Sequence, residues 1–164
     1  MDSYTLPIGW SAGPPVPHDQ LNSDPPASAD STYVQFFGAT SDGYRLFIIP
    51  AATPIADVVR FFEVGSHGAE SYGFDSEETV NLVAAKASMI ADLVPCRVTL
   101  ADSASLQLTF TRQITASEVS RIESFFNEEE VMQAGLDGYI SEWDGEGQLL
   151  SSVLSQNQFN FWWD

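Results

Sequence analysis

Two runs of alternating residues constrain the fold more than any other feature of the chain. Arg97 to Leu100 and Leu106 to Thr111 place apolar side chains at every second position, with Ala101-Asp102-Ser103-Ala104 between them. A period of two marks a strand with one face against a core, and two such runs flanking a short polar break read as a hairpin. The spacing predicts that Val98 and Leu100 face the same way as Leu106, Leu108 and Phe110. A second hairpin is predicted from Tyr33-Val34-Gln35-Phe36-Phe37 and Tyr44-Arg45-Leu46-Phe47-Ile48-Ile49, joined through Asp42-Gly43. The second of these runs is almost continuously apolar, as an interior strand covered on both faces would be. Near the end of the sequence, Phe159, Phe161 and Trp163 alternate with Asn160 and Trp162 and predict a last strand with the first three on one face.

Helix signals fill the intervals. Thr53-Pro54 reads as an N-cap and first helical residue for a helix over 54–63, with Ile55, Val58, Val59 and Phe62 inward and Gly65 as a stop. The rival reading of the same stretch is a strand over Val58 to Val64. Gly65 to Asp75 reads as a glycine-containing loop carrying His67. Asp75-Ser76-Glu77-Glu78 and Thr115-Ala116-Ser117-Glu118 are capping-box patterns. The first opens a helix with Val80, Val83, Ala87, Ile90 and Val94 on one stripe, stopped by Pro95, and the second a helix facing inward through Val119, Ile122 and Phe126. Asn127-Glu128-Glu129-Glu130 is a third such pattern, starting a short helix that ends near Gly135, and a last helix is expected over 148–155.

This order predicts an α+β fold with a mixed, mostly antiparallel sheet and helices packed on one face, as a single domain over 32–164. Residues 1–31 hold six of the nine prolines and read as a proline-rich arm, extended or irregular, contributing few ladder hydrogen bonds. Leu6, Ile8 and Trp10 are its candidate anchors.

Over about residues 44–164 the sequence of elements, ending in Trp162-Trp163-Asp164, resembles the bacterial family catalogued as domain of unknown function 4253, which closes on a Trp-Trp-Asp strand. Members of that family carry an Asn and a Cys-Pro pair after the first helix and a Cys-Pro-Asp after the third. This chain has Tyr72-Gly73-Phe74-Asp75 and Phe125-Phe126-Asn127 there. The resemblance implies a fold and a bacterial cytosolic setting, and it is compatible with toxin–immunity or related conflict systems.

Charge narrows the partner. Twenty-three Asp and Glu stand against six Lys and Arg, a formal charge of -17, with Lys86 the single lysine. Such an excess makes nucleic acid and anionic membranes poor direct ligands and favours a basic protein. The rival explanation is a saline habitat, where acidic surfaces keep proteins in solution. Cys96 is alone, so no internal disulfide forms, and a reducing cytoplasm is expected. Neither a signal peptide nor a membrane-spanning run is recognised.

Chemistry-bearing motifs are sparse. His18 and His67 with one cysteine fall short of a four-ligand zinc set, and no calcium-hand spacing occurs, so neither a metal nor a cofactor is expected. Cys96 after Pro95 reads as a small buried hydrophobe, with a nucleophile served by His67 as the alternative. No nucleophile elbow or phosphate-binding glycine loop is present. The most suggestive segment runs from Asp137 to Glu146, where Tyr139 and Trp143 stand among Asp137, Glu142, Asp144 and Glu146. Aromatic anchors ringed by carboxylates suit docking to a basic partner, with Glu128, Glu129 and Glu130 as a secondary rim. The competing readings are a core Trp143 under a solvated loop, and glutamates that serve only the helix dipole. The expected function is a non-catalytic acidic inhibitor, an immunity protein or antitoxin masking a basic toxin surface. A DNA-mimicking anti-defence protein and a small hydrolase or ligand-binding domain are the alternatives.

Overall fold

The computed structural model describes residues 5–23, 25, 30–134, 136 and 148–163. Six strands form one mixed sheet: β1 Ser11–Pro15, β2 Tyr33–Thr40, β3 Gly43–Pro50, β4 Cys96–Asp102, β5 Ser105–Phe110 and β6 Gln158–Trp162, in the order β1-β3-β2-β4-β5-β6. All neighbours are antiparallel except β2 and β4, which meet through Phe37↔Leu100 and Gly38↔Ala101. That parallel seam joins two hairpins, β2–β3 and β4–β5, the first expected from its β-rich runs around Asp42-Gly43 and the second from alternation.

One face of the sheet carries the core. Register places Phe36 opposite Phe47, Val98 opposite Leu108, Leu108 opposite Phe159 and Leu106 opposite Phe161. All are buried in one apolar cluster with Val58, Val59, Val83, Ala87 and Ile90 of the helices. Stacked and edge-to-face rings thicken it on the β2–β3 side, where Phe36 and Phe47 lie 5.5 Å apart and Phe47 and Phe62 5.1 Å apart. The last strand behaves as its alternation demands: Phe159, Phe161 and Trp163 are buried, whereas Trp162 is 60% exposed.

Among the described residues the helices follow from local signals of unequal strength. In α1, Ile55–Phe61, the N-cap is Pro54 in an extended conformation, one residue later than the Thr53-Pro54 pair suggests. Val58 and Val59 are buried in it, so helix prevails over the rival strand. Asp75 caps α3, Ser76–Leu93, by accepting from the Glu78 N–H at 2.9 Å, and the helix ends before Pro95. Both halves of the capping box are present in α4, Ala116–Glu123, between Thr115 and Glu118. They recur in α5, Glu128–Gln133, where Asn127 Oδ1 accepts from the Glu130 N–H at 2.9 Å and Glu130 Oε1 from the Asn127 N–H at 3.1 Å. The last helix, α6, is Gln148–Gln156.

Three expectations need correction. Gly65 to Asp75 is not a loop, because α2, Ser66–Tyr72, lies within it. The glycines that suggested a loop are its two ends, Gly65 and Gly73 in left-handed conformation, and Gly68 is the seat of Trp163. A Cβ on Gly68 would come within 2.1 Å of the indole. Leu100 does not face the core with Val98. A register irregularity between Val98 and Leu100 turns Leu100 to the opposite face, where it pairs with Gln107, and Ala101 takes the inward place opposite Leu106.

Last, the proline-rich segment is more than irregular cover. Ser11↔Ile48, Ala12↔Phe47 and Pro15↔Arg45 make β1 an edge strand, and a short 3₁₀ turn follows over His18–Asn22. Prolines are tolerated there because an edge strand pairs on one side only, and the register shifts between Ala12 and Pro15. The segment then crosses to β2, held on the way by Arg97, whose guanidinium donates to the Pro25 carbonyl at 3.4 Å. Trp10 packs 4.9 Å from Phe61, whereas Ile8 is fully exposed.

Candidate functional site

The sequence places the partner-binding residues in α5 and the segment after it. Asp137, Tyr139, Glu142, Trp143, Asp144 and Glu146 all lie outside the described residues. Of Glu128 only the backbone is described, in the first turn of α5, and Glu129 is exposed. Glu130 has a structural task. Besides its capping bonds, its Oε2 lies 3.0 Å from the Lys86 ammonium, which also donates to the Phe125 carbonyl and sits 5.4 Å from the Phe126 ring centre. Burial alone would raise the Glu130 pKa, but the Asn127 N–H and the Lys86 ammonium outweigh it, and the net shift is downward.

Packing of α5 on α3 joins the C-terminal turn of α5 to the N-terminal turn of α3. Gln133 Nε2 donates to Thr79 Oγ1 at 3.1 Å, and the Gln133 carbonyl accepts from Trp163 Nε1 at 3.1 Å. The C-terminal turn of α5 therefore sits against the N-terminal turn of α3, where Asp75, Glu77 and Glu78 are exposed. Leu136, shortly after α5 in the chain, is buried in the core cluster. As a sequence pattern, Asp75 and Glu78 announce a helix start and say nothing of α5. The helix-start pattern carries no information about which helix lies alongside.

Basic side chains do little to offset these acids at the surface. Lys86 is enclosed, with 12% of its side chain exposed. Arg45 reaches Asp42 at 2.7 Å and the Gly13 carbonyl at 3.0 Å, Arg97 holds Pro25, and Arg112 pairs with Glu118 at 2.5 Å. Arg60 and Arg121 are exposed. The Arg112 guanidinium, with lesser help from the Thr115 backbone and hydroxyl, holds the Glu118 carboxyl down to about 2 against the smaller effect of burial.

A cavity of about 370 Å³ opens where the two hairpins meet, lined by Ala39, Thr40, Ser41, Phe61, Phe62, Asp102 and Ser103. The end of β2, the end of α1 and the β4–β5 turn supply these residues. Asp102 is the one charged residue in the lining. It accepts from the Ala104 N–H at 2.7 Å and from the Tyr44 hydroxyl. Burial, and then the Asp102 carboxylate, push the Tyr44 phenol well above its ordinary pKa, so Tyr44 stays a neutral donor. Phe61 and Phe62 stand edge to face at 4.9 Å, and Phe62 is locked over Gly38, where a Cβ would come within 2.6 Å of its ring. No spacing signal links segments this far apart in the chain, and the sequence reading did not find the cavity.

The residues weighed for catalysis are spread over separate elements. His18 lies in the 3₁₀ turn, His67 in α2 and Cys96 at the start of β4, with both histidines exposed. Burial pushes the Cys96 thiol up to about 12, which keeps it protonated and unreactive at neutral pH. Among the described residues no group of three or more His, Cys, Asp or Glu is placed to hold a metal ion, and no helix is long and apolar enough to cross a membrane. No family model matches the chain, and neither does any curated protein or solved structure.

Proposed function

We propose that this chain is a non-catalytic acidic protein that binds a basic protein in the bacterial cytosol, as an immunity protein or antitoxin does when it masks a cationic toxin surface. One observation carries the reading: of the six basic residues, Lys86, Arg45 and Arg97 are drawn into the fold and Arg112 is paired at the surface with Glu118, while Asp57, Glu63, Glu70, Asp75, Glu77, Glu78 and Glu129 are exposed. The exposed charge of the described residues is thereby mainly acidic, and such a surface accelerates encounter with a cationic partner and repels nucleic acid. The acids of α3 and α5 form one end of the binding surface, with Trp143 and its flanking carboxylates as its centre.

The test is co-purification from the native host with identification of the captured protein, followed by affinity measurement on variants. A basic partner is expected. Reversing Glu142, Asp144 and Glu146 to Lys slows association most at low salt, and Trp143→Ala raises the dissociation rate and costs about 2 kcal/mol. Absence of a basic partner, or affinity within about twofold of wild type for the combined variant, refutes the reading. Competition between the chain and DNA for the captured protein would identify a DNA mimic instead.

A further inference from the structure

The cavity between the hairpins has the chemistry of a receptor for an alkylammonium or guanidinium group. We infer that it takes a single Lys or Arg side chain of the basic partner, an inference that rests on the proposed function for the source of that cation. Its one formal charge is the Asp102 carboxylate, and no basic residue lines it to neutralise that charge. A carboxylate offers about four acceptor positions, and the Ala104 N–H and the Tyr44 hydroxyl use two of them. Both donors also fix the orientation of the group. Tyr44 cannot be displaced by ionisation near neutral pH, because its pKa lies far above that range.

The rest of the lining suits the same guest. Phe61 and Phe62 supply aromatic surface for the methylene stem and for cation–π attraction, which strengthens as water is excluded. Thr40, Ser41 and Ser103 add hydroxyls at the rim. About 370 Å³ is room for one long side chain and some water, and too little for a folded element. An anion would meet Asp102 unpaired, and a wholly apolar guest would strip water from it without compensation. A protein partner is favoured over a free cation because the chain carries a formal charge of -17 and Glu63, next to the lining residue Phe62, is exposed, so that neighbouring basic groups of the same partner add to the attraction.

The test uses the full chain labelled with ¹⁵N and three probes at matched ionic strength: N-acetyl-arginine amide, its neutral analogue N-acetyl-citrulline amide, and spermidine. Arginine amide is expected to give saturable shifts of the Thr40, Ser41, Asp102 and Ser103 amides with millimolar affinity, and citrulline amide to give none. Asp102→Asn should weaken arginine binding about tenfold and Phe61→Leu about threefold. The same spectra report whether each variant is folded, and Phe61→Leu carries the test if Asp102→Asn disturbs the turn. Equal shifts from citrulline amide, or arginine shifts confined to residues away from the cavity, overturn the site. Spermidine binding tenfold tighter than arginine amide overturns the partner as source and makes a free polyamine the ligand. Failure to find a basic host partner while arginine amide still titrates the cavity refutes the proposed function and the source together, and leaves the cation-binding chemistry standing.

Discussion

Replacing Lys86 with Met removes the only lysine ammonium in the protein and keeps most of its stem. With 12% of its side chain exposed, Lys86 is bonded to Glu130 Oε2 at 3.0 Å and to the Phe125 carbonyl, and lies 5.4 Å from the Phe126 ring centre. Charged hydrogen bonds of this kind contribute about 1.5 to 3 kcal/mol, and the cation–π contact adds about 0.5 to 1. Breaking a wholly buried pair costs about 3 to 5 kcal/mol. Here Glu130 keeps 25% of its side chain in water, so the orphaned carboxylate is partly rehydrated. The expected loss is about 3 kcal/mol, read by urea denaturation. For a chain of 164 residues that corresponds to a fall of about 6 to 12 °C in Tm. Glu130→Gln isolates the charge, because glutamine can still return the capping bond to the Asn127 N–H. The double variant should show a coupling of about 1 kcal/mol. A loss below about 1 kcal/mol for Lys86→Met, or additivity within about 0.3 kcal/mol, would refute the structural role given to this pair and return Glu130 to the binding rim.

Gly68→Ala drives a methyl into the Trp163 indole, which a Cβ would meet at 2.1 Å, and should cost about 2 to 4 kcal/mol with a changed tryptophan emission spectrum; an unchanged melting curve would mean Trp163 does not sit there. Trp10→Ala should lower stability by about 2 to 3 kcal/mol because the ring packs on Phe61 and Phe36, and a neutral result would show that the proline-rich segment is dispensable for folding. Cys96 should resist alkylation by iodoacetamide at pH 8 until the chain is unfolded in urea, since burial holds its thiol up at about 12. An unfolded thiol ionises near about 8.5, so the native state keeps a proton the unfolded state loses; this contribution is complete below about pH 8.5 and is lost as pH rises through 12. Glu118 has the opposite sign: its carboxyl is held at about 2, so its contribution is full above the unfolded value of about 4.3 and disappears as pH falls toward 2, an acid limb that Glu118→Gln should flatten in pH-dependent denaturation.

What the sequence determined by itself are the features whose partners lie within a few residues. The Thr115–Glu118 and Asn127–Glu130 boxes, the cap from Asp75 to Glu78, both hairpins and the alternation of the last strand depend on neighbours three or four positions away, or on a period of two. The charge and the scarcity of lysine were equally open to reading. Long-range packing decided the rest. The prolines of β1 pass as strand only because the sheet has an edge to offer them beside β3. Leu100 turns outward because the ladder to β5 slips, a fault that no pattern within 97–111 announces. The glycines around α2 read as loop until Trp163, arriving from the other end of the chain, is placed over Gly68. Lys86 is enclosed where α5 packs against α3, a contact that its own helix does not announce. The cavity gathers residues from the end of β2, the end of α1 and the β4–β5 turn, and these meet because β2 and β4 lie side by side in parallel. Local hydrogen-bond patterns are written in residue order, whereas a parallel seam between distant strands is selected by the burial of the whole apolar face, a quantity no short stretch of sequence contains.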